Sequence, residues 1–237
     1  MISSLLDKIR IAARNNGCLY CGKPLPEPAF CPACHEKLGL RENFPLSVMG
    51  EDRLYAATLF NPAAKSLLYG YKFYHNTGKR PVLTELLCAY WQTVSPTLPG
   101  HLSAHTLVLS IPAHTGKVSV VEPIARPFAV RFGYRFSNRV LRWQRDIQPQ
   151  HTLVARRKRV DNVKGALHAE AHALPFSASD PPAHILIVDD LTTTGATLRE
   201  ATRALREAGV ACPISGLAIT HVPLAFQKKK KMPESSL

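Results

Sequence analysis

Two acidic residues and a run of threonines lie next to each other in the C-terminal part of the chain. Asp189 and Asp190 follow the apolar residues 185–188, and after Leu191 the segment 192–197 contains four threonines and one glycine. Adjacent carboxylates can accept hydrogen bonds from two neighbouring hydroxyls of a sugar, directly or through Mg²⁺. Backbone N–H groups at the start of a helix, with threonine hydroxyls beside them, favour a phosphate dianion. The candidate sugar-phosphate residues are Asp189, Asp190, Thr192, Thr193, Thr194, Gly195, Ala196 and Thr197.

The elements that must position these residues are a strand, a loop and a helix. The uninterrupted apolar run at 185–188 is typical of a strand buried on both faces, and we expect the aspartates to end it with their carboxylates facing solvent. The periodic segment 198–208, followed by Gly209, predicts a helix. An ordinary strand–helix turn with an acidic strand end is the alternative. The chain has no Gly-Lys-Thr, Gly-Lys-Ser or Gly-x-Gly-x-x-Gly, which excludes a Walker loop and a dinucleotide fingerprint.

Four cysteines in two Cys-x-x-Cys pairs form a second cluster that could do chemistry. Cys18 and Cys21 are followed by a glycine, and Cys31 and Cys34 come after a segment that contains three prolines. A tight turn lets backbone N–H groups point at the first two thiolates, and the second pair completes the tetrahedral shell of a structural Zn²⁺. Two redox pairs, or buried cysteines without a ligand, are the alternatives.

Length, charge and the remaining cysteines limit the class of protein. The chain has 237 residues, of which 46% are hydrophobic, enough for one sizeable core and a small extra module. A net charge of +13 predicts a polyanionic partner such as nucleic acid, with a solvated basic surface as the alternative. We expect His35 to be a bystander of the cysteine pairs, and Cys88 and Cys212 to be core residues.

The hydropathy pattern predicts a protein without membrane insertion. No apolar run approaches the ~20 residues of a membrane span, and residues 1–14 lack the continuous apolar core of a signal peptide. We therefore expect a cytoplasmic location, where a reducing environment favours metal binding over disulfides for the paired cysteines.

The aspartate–threonine segment resembles the signature of type I phosphoribosyltransferases that bind 5-phosphoribosyl-1-pyrophosphate (PRPP). This resemblance implies PRPP and Mg²⁺ as ligands. The four cysteines, the segment Leu-Leu-Tyr-Gly-Tyr-Lys-Phe at 67–73 and the PRPP signature are together similar to the ComF family of bacterial competence and DNA-utilisation proteins, over about residues 18–222. That similarity implies the handling of incoming single-stranded DNA, with the competence machinery as a partner. An active phosphoribosyltransferase with a nucleobase-like acceptor, and a regulator that senses PRPP, are the alternatives.

Two further segments bear on this resemblance. Residues 150–167 resemble the ComF segment Gln-x-x-Leu…Arg-x-x-Asn-Val-x-x-Ala, which falls on a mobile flap in this fold. Its basic side chains are expected to contact pyrophosphate or a nucleic-acid backbone, with a solvated charge run as the alternative. The loop at 112–117 is expected to wrap the pyrophosphate. The Arg-Gly-Phe-Asn-Gln stretch of the family is missing after it, which leaves catalysis open. The basic flap residues are Arg156, Arg157, Lys158, Arg159 and Lys164.

The alternation of apolar runs and helical segments predicts the fold class. Runs at 54–59, 107–111, 185–188 and 214–219 alternate with helices, which favours an α/β fold with a doubly wound parallel sheet and its ligand at the carboxyl edge of the strands. We further expect a strand over 134–143. Helices are expected at 2–14, from Pro62 with Asn61 as its cap, and at about 81–94, and Pro123 and Pro127 should shorten or kink a further helix.

The resemblance divides the chain into three parts. A helix and a four-cysteine zinc finger are expected at 1–45, a type I phosphoribosyltransferase-like domain at 50–226, and a basic disordered tail at 227–237.

Overall fold

The computed structural model describes residues 17–25, 30–40, 45–49, 52–98, 105–114, 117–148, 156–176 and 180–223. The helix predicted at 2–14 and the tail at 227–237 lie outside these residues.

A six-stranded sheet is the centre of the fold. β1 pairs antiparallel with β2, and all the other neighbours are parallel, so five strands form a parallel sheet. From one edge to the other, the strands are β1 (Ser47–Met49), β2 (Asp52–Leu59), β8 (Ile214–His221), β7 (His184–Thr192), β3 (Thr106–Ser110) and β4 (Arg135–Ser137). This arrangement confirms the predicted α/β fold with a parallel sheet.

Helices and a small second sheet complete the described structure. The second sheet is an antiparallel pair, β5 (Leu141–Trp143) and β6 (Leu167–Ala169). Short 3₁₀ turns lie at Thr77–Lys79, Ser95–Thr97 and Ala171–Ala173. The α-helices are α1 (Pro32–Leu38), α2 (Pro62–Lys72), α3 (Arg80–Val94), α4 (Glu122–Arg131), α5 (Arg156–Val163) and α6 (Ala196–Glu207).

Both faces of the sheet are covered, as the term doubly wound requires. On one face, α2, α3 and α4 bury a cluster that includes Trp91 and Phe128. On the other face, α6 and the β5–β6 pair bury a second cluster that includes Leu141 and Leu205. The four apolar residues 185–188 of β7 have no exposed surface and contribute to both clusters, as their sequence predicted. Burying one such side chain stabilises a fold by about 1.5–3 kcal/mol.

The local signals for helix ends agree with the structure. The side chain of Asn61 accepts a hydrogen bond from the backbone N–H of Ala64 at 2.9 Å, and Pro62 is the first residue of α2. Gly209, just beyond the end of α6, has φ 86°, in the left-handed region that glycine adopts without strain. Proline 127 lies inside α4, which is short, at 10 residues.

The prediction of one strand over 134–143 was wrong. β4 ends at Ser137 and pairs with β3, whereas β5 begins at Leu141 and pairs with β6 in the other sheet. The side chain of Ser137 accepts a hydrogen bond from the backbone N–H of Arg139 at 3.2 Å within the bend between them. Val140 and Leu141 are both buried, which breaks the alternation that a single half-buried strand requires.

Within the described part of the chain, no helix is both long and apolar enough to cross a lipid bilayer.

Candidate sugar-phosphate site and cysteine cluster

The two aspartates lie inside β7, which continues beyond them to Thr192. We expected them to end the strand and to face solvent, and both expectations were wrong. β8 is long enough to pair with β7 as far as Thr192, which lies opposite His221. Asp189 and Asp190 are consequently buried, with exposed fractions of 8% and 7%. Their carboxylates therefore need specific partners.

Lys72 provides the partner of Asp190. Its ammonium group forms a hydrogen-bonded ion pair with Oδ2 of Asp190. Burial alone would lower the pKa of Lys72, but the charge and hydrogen bond of Asp190 and the charge of Asp189 raise it. Lys72 is the last residue of α2, so this helix reaches the carboxyl edge of the sheet at β7. The sequence prediction missed Lys72, although it lies in the segment 67–73 on which the family resemblance was based.

Asp189 has a different environment. Its Oδ1 accepts a hydrogen bond from the backbone N–H of Asp190 at 2.8 Å. Burial, and next to it the charge of Asp190, raise the pKa of Asp189 well above its usual range, while that backbone hydrogen bond and the charge of Lys72 lower it. The single positive charge of Lys72 thus acts on two adjacent carboxyl groups. A ligand that needs both of them ionised must displace the proton that the raised pKa of Asp189 favours.

The threonine loop connects β7 to α6 as predicted. Thr192 is buried at the end of the strand, and the hydroxyl of Thr194 accepts a hydrogen bond from the backbone N–H of Ala196 at 3.3 Å. Gly195 precedes the helix with φ 73°, and a Cβ there would lie 2.4 Å from a methyl group of Leu54. No other residue fits this position without strain. The positive end of α6 therefore faces the loop.

A cavity of about 310 Å³ opens beside this loop. That volume lies at the lower end of the range for small-molecule sites. Arg199, which the sequence analysis did not identify, contributes a positive charge to its wall and donates a hydrogen bond to the carbonyl oxygen of Thr194. The residues that line the cavity are Leu46, Ser47, Leu54, Thr192, Thr193, Thr194, Gly195, Arg199, His221 and Pro223.

The loop after β3 lies close enough to Lys72 for the charge of this lysine to act on it. The ring of His114 stacks on Trp143 with centroids 4.9 Å apart, and Nε1 of Trp143 donates a hydrogen bond to the carbonyl oxygen of Pro112 at 2.9 Å. Burial, Lys117 and Lys72 together lower the pKa of His114. The charge of Lys72 therefore acts on this loop as well as on the aspartates. Residues 115–116 of the predicted pyrophosphate loop lie outside the described residues.

Residues 156–163 of the basic segment form α5, which packs next to α6, while residues 150–155 lie outside the described residues. Arg145 donates a hydrogen bond to the carbonyl oxygen of Asn162 in α5 at 3.0 Å. Arg157 and Lys158 are exposed, and Arg157 lies 3.9 Å from a carboxylate oxygen of Asp161. Lys164 is exposed, while the side chains of Arg156 and Arg159 lie outside the described part.

The four cysteines come together as their spacing predicted. The sulfur atoms of Cys18, Cys21, Cys31 and Cys34 all lie within 4.8 Å of one another. The Cys21–Cys31 sulfur distance is 3.8 Å, and a regular tetrahedron with metal–sulfur bonds of about 2.3 Å has edges of about 3.8 Å. The six cysteines, all within the described residues, are not paired in disulfides. The cluster is therefore of the right size for a metal ion.

Backbone N–H groups favour the thiolate of Cys18, whereas burial and the other three cysteines raise the pKa of Cys34. The N–H of Cys31 donates to the sulfur of Cys18 at 3.4 Å. Burial opposes ionisation of Cys18, but the N–H groups of Cys31, Cys21 and Tyr20 more than offset it and lower its pKa to about 6. The neighbouring His35 is exposed and does not belong to the cluster. Of the two isolated cysteines, Cys88 is fully buried and Cys212 is half-buried.

The parallel sheet, the aspartates in its central strand and the loop at the start of α6 together define an α/β protein with polar residues at the carboxyl edge of its sheet, where ligands of open α/β sheets bind. In agreement with this class, the family model described as "Phosphoribosyl transferase domain" matches residues 129–236, from α4 to beyond β8. The chain thus contains a phosphoribosyltransferase-type domain. No curated protein matches the chain.

Proposed function

We propose that the chain binds PRPP with Mg²⁺ at the carboxyl edge of β7. The observation that carries the proposal is the uninterrupted order of two carboxyls in the central strand, a threonine loop and the positive end of α6. In this arrangement Asp189 and Asp190 accept hydrogen bonds from the ribose hydroxyls, and residues 192–197 bind the 5′-phosphate. The match to the phosphoribosyl transferase domain supports the same ligand.

The surrounding cations suit the polyanionic end of PRPP. Bound PRPP supplies a bond between C1 of the ribose and pyrophosphate, which breaks when a phosphoribosyl group is transferred. Lys72 lies beside Asp190, and Lys117 lies after β3, near enough for both lysines to lower the pKa of His114. Positive charge there stabilises phosphate oxygens. Release of pyrophosphate from PRPP in the presence of nucleobases tests whether the site also catalyses the transfer.

A double substitution tests the binding proposal. Asp189→Asn with Asp190→Asn keeps the size of the side chains but removes both acceptors of charge-assisted hydrogen bonds, so calorimetry should show PRPP binding lost at saturating Mg²⁺. The circular dichroism spectrum should remain that of the parent. Asp180→Asn, at an exposed aspartate before β7, is the matched control and should bind as the parent does. Parent-like affinity of the double variant would show that the ribose assignment is wrong.

We also propose that the cysteine cluster holds one structural Zn²⁺. Four sulfur ligands at tetrahedral spacing support zinc, because closed four-cysteine sites are typical of this metal. In this proposal residues 1–45 form the zinc module, residues 50–226 the phosphoribosyltransferase-like domain, and the chain works in the cytoplasm.

A second candidate function is the handling of single-stranded DNA by a ComF-like protein, together with the competence machinery. The net charge of +13 and the exposed cations Arg157, Lys158 and Lys164 at α5 favour a polyanionic partner. This function and PRPP binding are compatible, since they use different side chains. The salt dependence of binding to a single-stranded oligonucleotide tests this function.

A further inference from the structure

A row of aromatic side chains, two of them half-buried and two exposed, accompanies α2. Phe73 and Tyr74, directly after the helix, are 54% and 80% exposed. Tyr69, one turn before Phe73, lies 5.1 Å from it between ring centroids, and Phe60 lies 6.1 Å from Tyr69 on the other side. We call these four residues the aromatic stripe. Scattered exposed aromatics need no explanation, but a connected row is unusual on a free surface.

Lysines alternate with the rings of the stripe. The ammonium group of Lys65 lies 5.5 Å from the ring centroid of Tyr69, and that of Lys72 lies 5.8 Å from the centroid of Phe73. No aspartate or glutamate occurs between residues 53 and 84, so the sequence around the stripe carries positive charge alone. The stripe thus offers flat apolar faces and cations at short, repeated intervals.

The stripe lies at the same edge of the sheet as the sugar-phosphate site. The backbone N–H of Phe60 donates to the carbonyl oxygen of His221 at the carboxyl end of β8, at 2.8 Å. At the other end of α2, Lys72 bonds to Asp190 in β7 and also lies over Phe73. A ligand on the stripe would therefore lie beside the aspartates.

We propose that the aromatic stripe is a stacking surface for single-stranded nucleic acid. Bases stack on aromatic rings whatever their sequence, and lysines between the rings neutralise the phosphates that connect the bases. A second copy of this chain is a poorer partner, because two surfaces of the same positive charge repel each other. The proposal rests on the DNA-handling function for the class of the partner, and it adds base stacking on the aromatic stripe to the phosphate contacts proposed for α5.

An abasic oligonucleotide separates stacking from charge. It keeps the phosphates of oligothymidylate and lacks the bases, so the ratio of the two affinities measures stacking alone. In fluorescence anisotropy at low salt, the parent chain should bind oligothymidylate about tenfold or more tightly than the abasic oligonucleotide, since each stacked base adds a factor of about 5 to 150. Phe73→Ala with Tyr74→Ala should remove most of this preference. Tyr74→Ala alone, at the most exposed ring, should reduce it without affecting the fold.

Two control variants make the assignment specific. Lys65→Ala should weaken binding to both oligonucleotides and flatten the salt slope by about 0.7, while the preference for bases remains. Val130→Ala, at an exposed apolar residue of α4, should change neither affinity. PRPP binding, measured by calorimetry, should be the same in the Phe73 and Tyr74 variant as in the parent.

Each contrary outcome has a distinct meaning. The stripe is not the stacking surface if the variant Phe73→Ala with Tyr74→Ala keeps the parent's preference for oligothymidylate. The same conclusion follows if the parent binds both oligonucleotides equally. In both cases the DNA-handling function still stands. If the parent binds neither oligonucleotide, the DNA-handling function fails as well. Loss of self-association in the stripe variant, seen by sedimentation with unchanged oligonucleotide binding, would assign the stripe to a second copy and overturn the proposal.

Discussion

Replacing Lys72 with methionine removes the positive charge beside Asp190 and keeps a side chain of similar length. In the parent, this charge lowers the pKa of Asp189 against the larger effects of burial and of Asp190. An opposite charge close to a carboxyl lowers its pKa by about 1–3, and we take the lower limit because Lys72 bonds to Asp190 and not to Asp189. The pKa of Asp189 should then rise by about 1 in the variant, and PRPP affinity at neutral pH should fall about tenfold.

The sign of this effect follows from the raised pKa of Asp189. A ligand that requires the carboxylate releases a proton when it binds, so affinity increases with pH and becomes constant above the pKa of the free site. Lys72→Met should move this profile to higher pH, so the loss of affinity should be largest at low pH. At alkaline pH only the loss of the direct attraction between Lys72 and the phosphate oxygens should remain.

Calorimetric titration with PRPP and Mg²⁺ from about pH 6 to about pH 9 measures the profile. Lys72→Arg keeps the charge and should keep most of the profile, and Lys65→Met, on the exposed side of the same helix, is the control. A profile of Lys72→Met that coincides with that of the parent would refute the reasoning. An equal loss of affinity at every pH would refute it as well, because it would show that Lys72 does not act through the pKa of Asp189.

Two further predictions concern the metal and the basic helix. Elemental analysis of the purified chain should find one zinc ion per molecule. Cys18→Ser with Cys21→Ser should remove the zinc, because the two remaining sulfur ligands do not complete the tetrahedral shell. A parent chain without zinc, or a variant with a full zinc content, would contradict the assignment. Affinity for single-stranded DNA should fall linearly with the logarithm of salt concentration, with a slope of about −0.7 per phosphate neutralised, and alanine at residues 156–159 should flatten the slope by about 2 to 3. An unchanged slope would place the DNA contact outside α5.

Much of the site was predictable because local patterns determine it. The apolar run 185–188 specifies a central strand, and the threonines and glycine that follow specify the loop at the start of α6. Similarly, the two Cys-x-x-Cys pairs are separated by only nine residues, and their four sulfur atoms lie within 4.8 Å of one another. In these cases neighbouring residues carry the whole signal.

The features that the sequence did not reveal depend on distant residues. Lys72 and Asp190 are 118 positions apart, and only the path of α2 across the edge of the sheet brings them together. The true end of β7 depends on how far β8 pairs with it, which no pattern within β7 encodes. The aromatic stripe combines Phe60 with Tyr69, Phe73 and Tyr74, which lie 9 to 14 positions further along the chain. Its exposure depends on which face of α2 the core covers.

Hydrogen exchange with and without PRPP and Mg²⁺, followed by mass spectrometry, tests most directly whether the ligand binds at the edge of β7. The ligand should bind the backbone N–H groups of residues 192–197, so peptides that cover this loop and the first turn of α6 should exchange more slowly when PRPP is present. Peptides of the cysteine cluster at 18–34 should exchange at an unchanged rate. Saturation with PRPP that leaves exchange in residues 192–197 unchanged would contradict the proposed site.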